Sequence, residues 1–352
     1  RTFCACVEVT YVDYARSGDF FVGAFCLKTS SRDARPFADL ALLRSRPLGG
    51  PRFSPLAMAD EDGSEEPNVF VKLPDPSTGA FATQTFRAQL KKWDLLTNSR
   101  LCRFRYTRPF HRMSPSAFLK DLFDSDAGRT HLRCMNGKGE WTAILPDGGA
   151  CETVTHAIVP CGATSMSIFD RLYDAAKPPI VREDTQLLMQ KVDEVKDGFT
   201  IADRLREFLL TDDNSGDDYD PYGIDDDDDD ESNYKSLLTP GERSEFLFRV
   251  FTHMALGGAM CQYEERMDVY TDAAKMAYKS LVVARRDKAG GGSDGVAVAS
   301  DCYEVTGMSA RGDDGDGCAL FPGRSRQNFC YVVVDPRKRH VTVWYHAYRS
   351  YW

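Results

Sequence analysis

Apolar side chains recur at helical spacing in several parts of the chain. Phe86, Leu90 and Trp93 are separated by four and three residues, which predicts an amphipathic helix. A second helix is predicted from about Met267, with charged residues on the opposite face and basic residues near its end. Its apolar face consists of Tyr270, Ala274, Ala277, Tyr278 and Leu281. Further helices are predicted after Ser114-Pro115, from about Ser165, and around Ile201, Leu205, Phe208 and Leu209.

One helix start carries a strong local signal. Thr239 and Glu242 have the spacing of a capping box, and Pro240 stands at the first helical position. The residues that follow are apolar around most of the helical wheel, so this helix is predicted to be buried on most sides. They are Phe246, Leu247, Phe248, Val250, Phe251 and Met254.

Two stretches have the composition of β-hairpins. "EWTAILPDGGACETVTHAIVP" contains two β-rich runs around a Pro-Asp-Gly-Gly turn, and "NFCYVVVD" is joined to "VTVWYHAY" by "PRKRH". In the last strand Val341, Val343 and Tyr345 alternate and are predicted to face the core, whereas the Trp344 side is predicted to be covered or to face a partner. The predicted fold class is therefore α+β, with a helical middle and a C-terminal antiparallel hairpin or small sheet.

Composition divides the chain into regions. Residues 1–67 are interpreted as an N-terminal extension and residues 68–352 as one α+β domain. Within that domain, 211–231 contains eleven Asp, one Glu and no basic residue, and predicts a disordered acidic insert on the surface. The net charge of the chain is -9, and about +3 without this segment's twelve carboxylates.

The remaining charge balance argues against two classes of partner. No basic field of the kind that drives nucleic-acid binding is present, and no polybasic face suits an anionic membrane. No apolar run approaches the roughly 18 to 20 residues that a membrane span requires. The eleven cysteines are scattered, which favours reduced, largely buried thiols in a cytoplasmic protein.

The stretch "HMALGGAMCQYEE" raises the question of chemistry. Gly257 and Gly258 follow a helix and lack the spacing of a phosphate-binding loop, so they are predicted to form a turn that allows close packing. Cys261 and His253 suggest a Cys-His nucleophile, for which Cys161 is a second candidate thiol. A buried thiol with a hydrogen-bonded histidine is the simpler interpretation.

The sequence signals for a metal site are also weak. Asp218, Asp220, Gly223 and Asp229 partly match a calcium-binding loop, but the fifth position is Tyr222 and the twelfth is not Glu, so a solvated loop is the simpler interpretation. His340 and His346 are too far apart along a strand to share a metal. No catalytic, cofactor-binding or metal-binding residue is assigned, and no cofactor is expected. The candidate partner-binding residues are Arg337, Lys338, Arg339 and Trp344.

Several long motifs together resemble one family. The chain is similar to the cilia- and flagella-associated protein 300 family over about four fifths of its length, from near "NVFVKLP" to about Tyr348. The motifs that carry this resemblance are "VPCGATSMSIFDRLYD", "EFLFRVFTHMALGGAMCQYEE", "YTDAAKMAYKSLVVARR" and "FCYVVVDPRKRHVTVWYHAY". Residues 1–67, the acidic insert and parts of the Gly-rich loops after Lys288 depart from the family pattern.

The resemblance implies a non-enzymatic ciliary protein that acts as a binding or adaptor factor. Its expected role is the cytoplasmic assembly, or the delivery to the axoneme, of outer and inner dynein arms. The implied partners are axonemal dynein subunits, other dynein assembly factors and the intraflagellar transport machinery, in the cytoplasm and in the cilium or flagellum. Two alternatives stay open: an enzyme that uses a Cys/His pair, and a calcium-responsive protein that acts through the acidic insert.

Overall fold

The computed structural model describes residues 69–349 except for 146–148, 183, 197–198, 212–231, 288–294 and 311–319. The predicted N-terminal extension lies outside the described residues. The predicted acidic insert also lies outside them, apart from Thr211, which caps the end of a helix. The predicted domain boundaries and the calcium-loop candidate therefore stay predictions.

The described strands form one large sheet and three two-stranded sheets. They are β1 (Phe70–Lys72), β2 (Ser99–Tyr106), β3 (Arg133–Met135), β4 (Trp141–Ala143), β5 (Cys151–Val159), β6 (Gln190–Lys196), β7 (Phe199–Asp203), β8 (Ala284–Asp287), β9 (Gly295–Val298), β10 (Asp301–Ala310), β11 (Phe329–Asp335) and β12 (His340–His346). The large sheet has the order β1-β2-β12-β11-β10-β5, and every neighbouring pair in it is antiparallel. The small sheets are β3-β4, β6-β7 and β8-β9.

Helices occupy the segments between these strands. They are α1 (Gln84–Lys92), α2 (Pro115–Asp124), α3 (Asp126–His131), α4 (Asp170–Asp174), α5 (Arg204–Leu210), α6 (Tyr234–Leu237), α7 (Pro240–Ser244), α8 (Phe246–Leu256) and α9 (Met267–Leu281). Short 3-10 turns lie at Ala80–Ala82 and Ser167–Phe169. Helices and an antiparallel sheet in one chain confirm the predicted α+β class.

The C-terminal hairpin forms as predicted, but it lies inside the sheet. β11 and β12 pair from Phe329↔His346 to Asp335↔His340, and β12 has β2 on its other side. Both faces of the hairpin are buried except at His340 and Thr342, and the Trp344 side, which the sequence predicted to be covered or to face a partner, is covered. Trp344 is 1% exposed, and its ring centroid lies 4.6 Å from that of Phe329. Trp344 is a core residue, which corrects its assignment to a partner-binding surface.

Each face of the large sheet has its own hydrophobic core. On one face, helices α1, α5, α8 and α9 pack against a cluster that includes Tyr331 and Trp344. On the other face, α2 packs against a cluster that includes Val332 and Val343. All seven residues of β11 are buried because successive side chains of a strand point to opposite faces. The sheet is therefore the middle layer between two helical layers.

The predicted capping box is present, but the helix it starts is short. The Thr239 hydroxyl accepts from the Glu242 backbone N–H at 3.2 Å, and the Glu242 carboxylate accepts from the Thr239 N–H at 2.9 Å. The chain becomes extended at Glu245, and α8 starts at the next residue. The Glu245 carboxylate accepts from the backbone N–H groups of Gly162 and Ala163, at 2.9 Å and 3.1 Å. These bonds tie the break to the segment that follows β5.

Two local predictions fail, one of a hairpin and one of a helix. The hairpin predicted for residues 141–159 does not form, because β4 pairs with β3 and β5 pairs with β10. Ile201 lies in β7 rather than in a helix, and α5 begins at Arg204 after Asp203 as the N-cap. The helices predicted from Phe86, after Ser114, from about Ser165 and from Met267 are confirmed within a few residues.

Candidate functional site

The adjacent glycines form the predicted turn at the end of α8. Gly257 has φ 65° and ψ −169°, and the Gly258 N–H donates to the Trp93 carbonyl at 2.8 Å. A Cβ on Gly257 would overlap the Cys261 Sγ atom and lie 2.8 Å from the Trp93 carbonyl oxygen. A Cβ on Gly258 would lie 2.5 Å from the Asp94 carbonyl oxygen. Both positions therefore require glycine, one for its positive φ and both for close approach to the end of α1.

The loop after this turn is bonded to the C-terminal end of α1. The Met260 N–H donates to Asp94 Oδ2 at 3.0 Å, and the Trp93 indole N–H donates to Glu264 Oε1 at 3.1 Å. Lys92 forms an ion pair with Glu264 at 2.7 Å. The carboxylates of Asp94 and Glu264 thus hold this loop against the end of α1, which is a structural role.

A buried arginine contacts the same loop and the end of α8. The Arg206 side chain is fully buried, pairs with Asp203, and donates to the Ala255 carbonyl at 2.8 Å and the Tyr270 hydroxyl at 2.7 Å. Its guanidinium carbon lies 3.4 Å from the centroid of the Tyr263 ring. The apolar pattern around Leu205 and Phe208 did not reveal this residue. The signal was the Asp at an N-cap position three residues before an Arg.

The candidate nucleophiles have the electrostatics of buried thiols. Burial raises the pKa of Cys261 and of Cys161 to about 12, so both are protonated at neutral pH. Cys161 Sγ lies 3.7 Å from the Tyr278 hydroxyl. A reactive cysteine has the opposite property, a lowered pKa beside a base or a cation.

The candidate base has partners of another kind. His253 Nδ1 lies 2.8 Å from Gln327 Oε1, and its Nε2 lies 2.8 Å from the Tyr331 hydroxyl. Burial lowers the pKa of His253 to about 4, so the ring is neutral at pH 7. The Gln327 amide and the Tyr331 phenol are the hydrogen-bond partners of the two ring nitrogens. This geometry gives no support to the Cys-His alternative.

The predicted basic turn is exposed. Arg337, Lys338 and Arg339 all lie on the surface, at the connection between β11 and β12. Asp335 holds the turn, since its Oδ1 accepts from the backbone N–H groups of Arg337 and Lys338 at 3.0 Å and 3.2 Å. The three cations are therefore presented on a defined turn, and their contact with a partner stays a prediction.

Two arginines of β2 extend this cationic region. Arg105 and Arg103 are the Cα partners of His340 and Thr342 on β12, so they lie beside the turn. We call these two residues and the three cations of the turn the basic surface: Arg103, Arg105, Arg337, Lys338 and Arg339. The sequence analysis missed the β2 pair. Its signal was a run with arginines at 100, 103, 105, 108 and 112 and no acidic residue between them.

The positive charges of the basic surface are not neutralised by ion pairs among the described residues. The ion pairs found among the described residues involve other cations. Desolvation lowers the pKa of His340, and Arg103, Lys338 and Arg105 lower it further, while Asp335 acts in the opposite direction. These cations are therefore close enough to one another to affect the same imidazole.

The part of the chain that the structure describes contains neither a metal-holding cluster nor a membrane-spanning helix. Within it, no group of three or more His, Cys, Asp or Glu side chains is arranged to hold a metal ion. No helix in the same residues combines the length and hydropathy that crossing a membrane requires.

The fold and this surface define an α+β sheet protein that presents the basic surface at one end of its large sheet. The chain belongs to the cilia- and flagella-associated protein 300 family, whose profile it matches over residues 68–346. It is 35% identical over 284 residues to cilia- and flagella-associated protein 300 of Chlamydomonas reinhardtii, covering 81% of this chain and 99% of that protein. The protein of the same name from Paramecium tetraurelia is 26% identical over 269 residues, covering 76% of this chain and 89% of the relative. No solved structure matches the chain.

Proposed function

We propose that this protein is a non-enzymatic binding factor for the assembly of outer and inner dynein arms in the cytoplasm, or for their delivery to the axoneme. The observation that carries the proposal is family membership over 68–346, in a family named for its association with cilia and flagella. The role in dynein arms is what the resemblance of the long motifs implies. The partners are axonemal dynein subunits, other assembly factors and the intraflagellar transport machinery.

The described residues are compatible with a binding role. The imidazole that suggested catalysis is buried and the two candidate thiols are half-buried, with lowered and raised pKa values respectively that suit packing rather than proton transfer. The basic surface presents five cations that form no ion pair among the described residues, which suits a contact with another macromolecule.

The test is genetic complementation in motile ciliated cells that lack the protein. Electron tomography of axonemes should show cilia of normal microtubule structure without outer and inner dynein arms, and the full-length chain should restore both. Affinity purification from the cytoplasm and from axonemes, compared side by side, should recover dynein subunits chiefly from the cytoplasm. Axonemes with normal arm density in the absence of the protein would refute the proposal.

The Cys261→Ser variant separates binding from the enzymatic alternative. A binding factor should restore the arms with a serine at this position, provided that thermal unfolding shows a folded protein. A folded Cys261→Ser protein that restores no arms would favour a nucleophile instead.

A further inference from the structure

The basic surface is ordered by the sheet into two rows. In an antiparallel sheet directly paired residues lie side by side on the same face. Val71 pairs with Arg105, Arg105 with His340, and His340 with Asp335, which makes one row across four strands. Arg103 pairs with Thr342 to make the next row, about 7 Å further along the strands.

The helices cover most of this face of the large sheet, but they do not cover the end that carries Arg105. Trp344 and Leu101 belong to the helix-covered core, but Arg105 is exposed and Arg103 is half-buried. The last residues of α9 meet the two rows at a polar cavity of about 70 Å³. Its lining includes Ser280, Arg103, Thr342, Lys338, His340 and Asp335. The helical layer therefore ends beside the cationic side chains and leaves their outer side accessible.

The charge of the basic surface is predominantly positive. Arg103, Arg105 and the three cations of the turn carry five positive charges, and the buried carboxylate of Asp335 offsets one. Arginine is suited to paired hydrogen bonds with a carboxylate, and its planar group is desolvated more cheaply than an ammonium. An anionic partner is the chemistry that complements this surface.

We propose that the basic surface binds an extended acidic segment of a partner protein, with carboxylates at alternate positions placed over the Arg105 row and the Arg103 row. The spacing argues for this occupant, because residues i and i+2 of an extended chain project to the same side about 7 Å apart, like the two rows. Val71, which is 46% exposed beside Arg105, offers an apolar contact for a side chain of the same segment.

A nucleic acid fits less well. Stacking of bases on exposed aromatic rings supports binding of single strands. The large hydrophobic side chains that are exposed in the described residues are aliphatic valines, an isoleucine and methionines. This inference rests on the proposed binding function and specifies the partner chemistry of one surface.

The experiment uses the full-length chain and a fluorescein-labelled peptide of alternating Glu and Thr, about twelve residues long. Fluorescence anisotropy at low salt measures the Kd, and a peptide of alternating Gln and Thr is the uncharged control. The test variant is Arg105→Gln with Lys338→Gln, since both side chains are exposed and their loss should leave folding intact. The matched control is Arg87→Gln with Lys91→Gln, which removes two exposed charges from α1.

We expect the test variant to weaken binding of the Glu-Thr peptide at least about tenfold, because it loses two charge-assisted contacts. The control variant should stay within about twofold, because it changes net charge but not this surface. Equal weakening by both variants would overturn the proposal in favour of a general charge effect. Tighter binding of an oligothymidylate than of the Glu-Thr peptide would overturn it in favour of a nucleic acid.

Two further outcomes identify what has failed. Peptide binding that appears only after deletion of residues 212–231 would make the chain's own acidic segment the occupant and overturn the partner assignment. Complementation separates this inference from the proposed function. Arms restored by the wild-type chain and equally by the Arg105→Gln/Lys338→Gln variant would overturn the surface alone, whereas normal arms without any copy of the protein would refute the function itself.

Discussion

Replacing Gly257 by alanine should destabilise the fold through two effects that the structure separates. The backbone has φ 65° with ψ −169°, a region that residues with a Cβ rarely adopt, and such strain costs about 1 to 3 kcal/mol. The new methyl group would also lie 2.6 Å from Cys261 Cβ and 2.8 Å from the Trp93 carbonyl oxygen. Overpacking of this kind costs about 1 to 3 kcal/mol. We therefore expect a loss of about 2 to 6 kcal/mol in the free energy of unfolding.

Urea unfolding followed by tryptophan fluorescence is a suitable assay, because Trp93 and Trp344 are buried. Gly162→Ala is the matched control. A Cβ at Gly162 would meet nothing within 4 Å, and its backbone N–H, which donates to the Glu245 carboxylate, is preserved in alanine. This control should be neutral or stabilising by up to about 1 kcal/mol.

A double variant divides the cost between strain and overlap. Cys261→Ala removes the Sγ atom but leaves Cβ and the Trp93 carbonyl in place, so it should recover only part of the loss caused by Gly257→Ala. Gly257→Ala within about 0.5 kcal/mol of the wild type would refute the reasoning, because neither the strain nor the overlap would then exist in solution.

Three further predictions concern buried polar groups and the last strand. Arg206→Met should lower the free energy of unfolding by about 3 to 5 kcal/mol in urea titrations, because Asp203 stays buried without its partner, and adding Asp203→Asn should recover part of this. Stability should fall as the pH drops from 6.5 towards 4, since the unfolded chain protonates His253 and the folded chain does not. In urea titrations across this range His253→Gln should reduce that slope by about 1.4 kcal/mol per pH unit, and an unchanged slope would contradict the lowered pKa. A chain that stops after Arg339 loses β12 from the middle of the sheet, so sedimentation should find it insoluble and cells that carry only this chain should lack dynein arms.

The features that the sequence predicted well depend on neighbouring residues. The capping box at Thr239 needs only contacts between residues three apart, and the β11-β12 hairpin needs only the short turn between its strands. The glycine turn was also predictable, since two adjacent glycines between apolar runs indicate a change of direction with close packing. The long motifs were sufficient to indicate the family.

The failed hairpin and the buried Trp344 face of β12 depend on segments far apart in the chain. β5 has the composition of a hairpin strand, but its partner is β10, and nothing near residue 151 in the sequence indicates this. The two buried faces of β12 arise because helices cover one side of the sheet and α2 covers the other. The uninterrupted apolar run of β11 was the one local sign of a strand buried on both faces.

The basic surface combines both kinds of information. Its turn is a local feature, and the sequence indicated Arg337, Lys338 and Arg339 directly. Arg103 and Arg105 join them only because β2 pairs with β12, a pairing between two ends of the domain. Alternation along β2 then directs both arginines to the face that α9 leaves uncovered, while Phe104 between them faces the opposite core. A binding surface formed in this way depends on β12 in two ways. The charged turn ends at β12, and the pairing of β12 with β2 places Arg103 and Arg105 beside that turn. Loss of the last strand therefore removes the surface together with the core.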